Sequence, residues 1–297
     1  MTVLVVGATG SIGREVVAAL IGRGAAVRAL VRSPERAAHL PPGVEAAIGD
    51  LGDAGSVAAA LRGVRAALYV SPHDAAEERL AAVFVRACED AGVRIVFAGV
   101  YLHAGTAAAR FALRAAMGLM LPHYRGKLRL AHAIGRSRTG PVLLSVTNYF
   151  QNDEMVRDDI LAGSYPLPVH RRGVNRIDLR DVAAVAARAL CEADFPAGGY
   201  ALVGPASIPG ARAAELWSAA LGRPVRYDGP GSDWQERVGR HLTGRKRLDV
   251  LRSYGMLAKV GVPTSAKQVA AMTGLLGRPP RTYESYVDEA AARLVTR

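Results

Sequence analysis

The stretch TVLVVGATGSIGREVVAALIGRGAAVRALVRSPERA, residues 2–37, decides the reading of the fold. Its first apolar run, 3–6, is unbroken, as in a strand buried on both faces. Three glycines follow at a spacing of three, Gly7-Ala8-Thr9-Gly10-Ser11-Ile12-Gly13, and lead into a helical stretch over 12–24. A second apolar, β-rich run occupies 26–31. Strand, glycine turn, helix and strand make a βαβ unit. A turn in that position aims helix N-terminal N–H groups at an anion and lets the backbone approach a pyrophosphate. The spacing is Gly-x-x-Gly-x-x-Gly, not the commoner Gly-x-Gly-x-x-Gly. Gly7, Thr9, Gly10, Ser11, Ile12 and Gly13 are expected to hold a dinucleotide; the bland alternative is a tight turn that binds nothing.

The alternation continues along the chain. Strand-like runs fall at 44–47, 66–70 and 94–98, with helical stretches at 34–40, 55–61 and 75–91 between them. This pattern predicts an α/β fold of the Rossmann type, a doubly wound parallel sheet covered on both faces. A further helix is expected over 123–136 and a strand over 142–146. Beyond Asn148 the pattern loosens. Turn-rich segments at 163–169 and 196–210 flank a helix at 179–192, and helices follow near 211–221, 234–241, 266–276 and 283–294. Residues 1–148 are therefore expected to form a nucleotide-binding domain and 149–297 a smaller, mostly helical substrate-side domain. The two interleave, 177–192 returning to pack on the sheet. The loop 229–244 is a candidate substrate wall, with Trp234 and His241 on it.

Composition bounds the class. A chain of 297 residues, 50% hydrophobic and 22% charged, can bury a sizeable core. No apolar run reaches the ~20 residues of a membrane span. No basic segment precedes the first apolar run as in a signal peptide. Cys88 and Cys191 offer neither a disulfide framework nor metal-ligand spacing. A cytoplasmic protein without a metal is expected. The net charge of +12 comes from 34 arginines and four lysines, Lys127, Lys246, Lys259 and Lys267. The arginines are scattered, dense only in GRKRLD (244–249) and HRRG (170–173), so solvated faces are favoured over a nucleic-acid footprint.

The end of the second strand is where a dinucleotide's ribose is read. An acid there selects NAD, whereas a cation accommodates the 2′-phosphate of NADP. Arg32 stands at that place, with Ser33 beside it and Arg36 one turn on, and no acid precedes them. NADP(H) is the expected cofactor. Asp50 and Leu51 follow the third strand where adenine is met, although an aspartate there also suits a helix cap, a role open to Asp53. Val70, Ser71 and Pro72 after the fourth strand, and Ala98 and Gly99 after the fifth, fall on the same ligand-binding edge.

These motifs together resemble the NmrA-like, atypical branch of the short-chain dehydrogenase/reductases. The resemblance spans nearly the whole chain: VGATGSIG, VRSPERA, GDLGD, ACEDAGVRIVFAG, then HYRGKLRLAHAIGRSRTGPVLLSVTNYFQND at 123–153, NRIDLRDVAAVAARAL, GGYALVGPASI, ALGRPVRYD and LLGRPPRTYESYVDEAA, all in family order. It implies a Rossmann fold binding NADP(H), a small-molecule substrate, no membrane, and a chain compatible with a homodimer. It does not fix one reaction. The family includes quinone oxidoreductases and isoflavone-type reductases of secondary metabolism, and also redox sensors that bind nucleotide without turnover.

The Tyr-x-x-x-Lys pair of the main reductase branch is absent, Tyr124 lying three residues before Lys127. His123 and Lys127 are the i, i+4 pair on one helix face. Lys127 is the only lysine among the first 245 residues. An ammonium can give up a proton where a guanidinium cannot. By resemblance Lys127 hydrogen-bonds the nicotinamide ribose and relays a proton, assisted by Tyr149, Tyr124 or His123. Asn148, Tyr149 and Phe150 form the turn that by resemblance approaches the nicotinamide; core plugs are the equal alternative. The hydroxyl pair the family often carries after the fifth strand is replaced by Ala98-Gly99-Val100-Tyr101, which leaves Tyr101, or Ser71 after the fourth strand, as the candidate hydroxyl. The expectation is an NADPH-dependent reductase of a small conjugated carbonyl, quinone or related acceptor. Its rival is a non-catalytic NADP(H)-responsive regulator that binds a protein partner.

Overall fold

The apolar runs pair side by side as parallel strands. The computed structural model describes residues 2–72, 74–100, 108, 115, 118–119, 124–146, 148–231 and 233–295. Strands β1 (Thr2–Val6), β2 (Ala26–Val31), β3 (Glu45–Ile48), β4 (Val64–Val70), β5 (Arg94–Gly99) and β6 (Val142–Val146) lie in the order β3-β2-β1-β4-β5-β6. All their pairings are parallel; Leu4, for instance, stands opposite Arg28 on one side and Ala67 on the other. Leu4, Val5, Ala67, Leu68, Ile95 and Val96 are fully buried, as strands covered on both faces require. Chain order reverses between β1 and β4, the switch point at which such sheets bind ligands beyond their strand C-termini.

The connecting helices are α1 (Ser11–Gly22), α2 (Pro34–Ala37), α3 (Ala54–Ala60), α4 (Glu77–Ala91) and α5 (Arg125–Gly135). Leu80, Ala81, Phe84 and Cys88 of α4 and Leu130, Ala131 and Ile134 of α5 join Leu4, Tyr69, Ile95 and Phe97 in one core. Recurrence at three and four residues places these side chains on one helix face. Gly92 ends α4 at φ 64°, a left-handed conformation glycine adopts without a Cβ penalty.

The chain then builds β7 (Asn148–Tyr149), a 3₁₀ segment (Phe150–Val156), α6 (Arg157–Leu161), β8 (Ser164–Tyr165), β9 (Val174–Ile177), α7 (Leu179–Cys191) and β10 (Gly198–Leu202). Strand β10 joins the main sheet as a seventh parallel strand beside β6, Tyr200 opposite Leu144. The segment read as turn-rich thus contains a sheet strand. Its ladder is made by backbone groups, to which Gly198 and Gly199 contribute as well as any residue while carrying no apolar signal. After it come β11 (Ser207–Ile208), α8 (Gly210–Leu221), β12 (Arg226–Tyr227), α9 (Trp234–Gly239), α10 (Gly244–Leu257), α11 (Ala266–Leu276) and α12 (Tyr283–Val295). No helix of the described residues is long and apolar enough to cross a membrane.

Two compact units result: Met1–Val146 with Val182–Leu202, and Thr147–Asp181 with Val203–Arg297. The second holds a small sheet ordered β11-β9-β7, the β12-β8 pair, and a separate core around Phe150, Tyr165, Trp217, Tyr254, Tyr283 and Tyr286.

Candidate functional site

The glycine turn joins β1 to α1 at the switch point of the first unit. Gly7 sits at φ 83°, and its carbonyl accepts the Gly10 N–H at 3.0 Å. A Cβ on Gly13 would lie 2.0 Å from the Gly7 oxygen, so only glycine lets α1 start this close to the turn. A Cβ on Gly10 would meet the same oxygen at 3.3 Å. The N-cap, Gly10, offers no side-chain acceptor, and the first turn of α1 holds no acid. The first N–H groups of a helix lack intrahelical partners, so this terminus is built for an anion. Gly10 and Ser11 are exposed, and Thr9 and Ile12 half-buried. The cradle that a Cβ would fill, with uncapped N–H groups at its rim, fits a dinucleotide pyrophosphate.

Around this turn the strand ends bring the other candidates. Arg32, directly after β2, is exposed, and Asp74 stands 4.0 Å away. Such a surface pair stabilises little and leaves the guanidinium available. Ser33 occupies the N-cap of α2 without capping it; its hydroxyl bonds the Glu35 carboxylate and holds that carboxyl below its usual range. Arg36 is exposed. Asp53 caps α3 through the N–H groups of Gly55 and Ser56, at 3.2 and 3.0 Å. The exposed Asp50 accepts the Gly52 N–H at 2.7 Å, and Leu51 is buried in the core. Val70 is half-buried, its Cβ 3.4 Å from where a Cβ on Gly7 would stand. Ser71, Pro72 and Gly99 are half-buried, and Ala98 is buried.

Lys127, on the first turn of α5, is almost entirely enclosed. Its Nζ donates to Glu77 Oε2 at 2.9 Å, and the Ser71 hydroxyl donates to the same oxygen at 3.3 Å. The Glu77 side chain is 2% exposed and that of Lys127 11%. Glu77 opens α4, where the helix dipole favours a carboxylate. A Cβ on Gly126 would lie 2.8 Å from Glu77 Oε1, so the carboxylate fills space that any other residue at 126 would take. Burial, with the charges of Glu77 and Asp74 added, pushes the Tyr69 phenol well above its usual range. That buried hydroxyl has no hydrogen-bond partner among the described residues. Tyr124 is half-buried at the N-cap of α5; His123, like His73, lies outside the described residues. Glu77 had no place among the sequence candidates, since an acid in the first turn of a helix is ordinary.

In the second unit, Asn148 and Tyr149 are half-buried and Phe150 fully buried. The Asn148 amide donates to the Tyr254 hydroxyl at 3.3 Å, a phenol that burial pushes up to about 12. Phe150 packs edge-on against Tyr283, ring centroids 5.2 Å apart. Arg176 donates to the carbonyls of Tyr149 and Phe150 at 3.1 and 3.0 Å and to Asp153 at 2.6 Å. The backbone that carries Tyr149 is therefore held by a buried guanidinium.

A doubly wound parallel sheet with a glycine cradle at its switch point defines a dinucleotide-binding protein of the Rossmann class. Residues 7–193 match the family described as NAD(P)H-binding, and the chain belongs to that family. It is 32% identical over 306 residues to an NAD(P)H azoreductase of Xenophilus azovorans, with 98% of each chain covered. To a (4-alkanoyl-5-oxo-2,5-dihydrofuran-3-yl)methyl phosphate reductase of Streptomyces griseus subsp. griseus it is 29% identical over 316 residues, covering 97% of this chain and 98% of the relative. An NADPH-dependent quinone oxidoreductase of Escherichia coli, solved with NADPH, shares the fold with a TM-score of 0.76 at 22% identity over 99% of each chain. The family match makes the chain an NAD(P)H-binding protein.

Proposed function

We propose that this protein is an NADPH-dependent reductase of a small conjugated carbonyl, quinone or related acceptor, with Lys127 as its proton donor or ribose anchor. The observation that carries the reading is the buried Lys127 ammonium, held in the same unit as the glycine cradle. NADPH, when bound, supplies the hydride. The N–H groups of 10–13 bind its pyrophosphate, and Arg32, assisted by Ser33 and Arg36, takes the 2′-phosphate. Asp50 and Leu51 line the adenine side, and Val70, Ser71, Pro72, Ala98 and Gly99 the nicotinamide side. Hydride transfer leaves negative charge on the acceptor oxygen or nitrogen, and an ammonium both stabilises that charge and supplies a proton. One of Tyr149, Tyr124 or His123 is the assisting donor, with Asn148 and Phe150 fixing the turn at 148–150. The second unit binds the acceptor. The setting is cytoplasmic, the protein forms a homodimer, and nucleic acid is not a partner.

One observation favours the second reading, a nucleotide-responsive regulator: β5 ends in Ala98-Gly99 and Val100 follows, so no serine or threonine hydroxyl stands there. Tyr101, outside the described residues, is the nearest hydroxyl in sequence. One experiment separates the two. NADPH and NADH are titrated by nicotinamide fluorescence, and oxidation is then followed with a panel of quinones, enones and azo dyes. The expected result is tighter binding of NADPH than NADH, a preference lost in R32A, and turnover that falls about 100-fold in K127A. Gly13→Ala is expected to abolish binding of both. Tight NADPH binding with no oxidation across the panel would transfer the assignment to the regulator.

A further inference from the structure

We infer that Glu77 is a positioning residue that fixes Lys127 for its work on nucleotide and acceptor, an inference that rests on the reading of Lys127 above. Its carboxylate and the Lys127 ammonium meet at 2.9 Å with both side chains almost wholly enclosed. Enclosing two charges costs desolvation that their attraction only partly offsets, and a well-packed apolar pair of the same volume is often as stable or more so. A buried ion pair is thus poor evidence of a stabilising device. The choice of cation points the same way: among 34 arginines the chain places a lysine here. Arginine would satisfy a carboxylate through two parallel bonds, whereas lysine offers a compact charge that can release a proton.

The surroundings direct the pair toward the ligand-binding edge. Ser71, one residue beyond β4, donates to the same Glu77 oxygen that Lys127 uses. Its neighbour Val70 packs beside Gly7 of the cradle. The Glu77 carboxylate therefore ties α5 to the end of the strand that flanks the switch point. Its other oxygen occupies the space left open by Gly126, so the carboxylate approaches the α5 backbone directly alongside Lys127. The first turn of α4 supplies a helix N-terminus that favours the anion. The Lys127 ammonium thus takes its counter-charge from a side chain fifty residues away in sequence.

A residue that acts through another can be separated from one that merely supports the fold by a double-mutant cycle. The variants are E77Q, E77D, K127M and E77Q/K127M, each read for kcat with an acceptor from the panel, for NADPH affinity by fluorescence, and for melting temperature. In the wild-type background E77Q is expected to lower kcat by about tenfold or more, approaching the loss seen in K127M. E77D, which keeps the charge at shorter reach, recovers part of it. On top of K127M, E77Q is expected to change kcat and NADPH affinity by less than about twofold, because the group it positions is gone. A multiplicative loss in the double variant would overturn the inference and leave Glu77 a structural residue. Unaltered turnover and NADPH affinity in K127M would instead overturn the reading of Lys127 itself, and the role of Glu77 with it. Should E77Q not fold, E77Q/K127M takes its place, since no buried charge is left unpaired there: values equal to K127M support the inference, and a further loss overturns it.

Discussion

Each unit contains a buried ion pair among its described residues, and these two, Arg176–Asp153 and Lys127–Glu77, are built in opposite ways. In the second unit Arg176 meets Asp153 with both side chains almost inaccessible. Its guanidinium also donates to the Tyr165 hydroxyl, while Asp153 accepts from Tyr165, Trp217 and Tyr283. The Tyr283 ring lies 4.8 Å from the guanidinium carbon. This is a rigid fork with partners on several sides, tying the 3₁₀ segment, β8, β9, α8 and α12 into one core. In the first unit the cation is a lysine, and its carboxylate also accepts from Ser71, which directly follows Val70 at the strand end next to Gly7. The guanidinium organises a core; the ammonium equips an edge. The largest effect expected from this contrast is in stability. Asp153→Asn leaves a guanidinium buried without a counter-charge and is expected to cost about 3–5 kcal/mol in urea unfolding. A cost below about 1 kcal/mol would show that water reaches the cluster and would remove the distinction.

Exchanging the cations sharpens the comparison. Arg176→Lys keeps the charge but cannot reach Tyr165, Asp153 and two backbone carbonyls at once, and is expected to lose about 2–3 kcal/mol of stability. Lys127→Arg keeps the charge beside Glu77 and is expected to change stability by only about 1 kcal/mol, the penalty of a larger side chain in a filled site. Its effect falls on turnover instead. A guanidinium does not release its proton, so kcat is expected to drop about 100-fold while the melting curve stays near that of the wild type. If K127R kept its activity, proton donation would be excluded and Lys127 would be left with the ribose.

What was legible in the sequence follows the same division. The sheet was readable because strands buried on both faces are written as apolar runs, and the cradle because a Cβ at Gly13 is sterically forbidden. Lys127 stood out by its type in an arginine-rich chain. Glu77 did not, because a first-turn acid carries no mark of the lysine it will meet across fifty residues. Strand β10 was hidden because its glycines pair through the backbone alone. Helix α10 was hidden for an electrostatic reason: it opens with Arg245, Lys246 and Arg247, cations at the end of a helix where the dipole favours acids, and no side chain caps it. The buried Arg176–Asp153 pair joins residues 23 apart in the motifs NRID and FQND, and nothing in either motif marks the other as its partner.

Between the two extremes stands Asp178, whose fully buried carboxylate pairs with an Arg180 that is 30% exposed. Burial alone would raise its carboxyl, but the Arg180 guanidinium, the Arg180 N–H and the Gln151 amide outweigh it, and the net shift is downward. Unfolded, this carboxyl takes up its proton near an ordinary value of about 3.9; folded, it does so at lower pH. Across that interval the unfolded chain binds more protons, so stability rises with pH there. The contribution of Asp178 is therefore complete above the ordinary value and is lost as pH falls through the depressed one. Asp178→Asn is expected to cost about 1–2 kcal/mol at pH 7, less than Asp153→Asn, because solvent reaches the cation and weakens the pair. The gap between the two unfolding curves should hold constant from pH 7 to 5 and narrow as the pH approaches 3. A gap that widened with acid would mean that the folded carboxyl binds its proton more readily than the unfolded one. Burial would then outweigh Arg180, and the exposed cation would hold its partner no better than bulk water does.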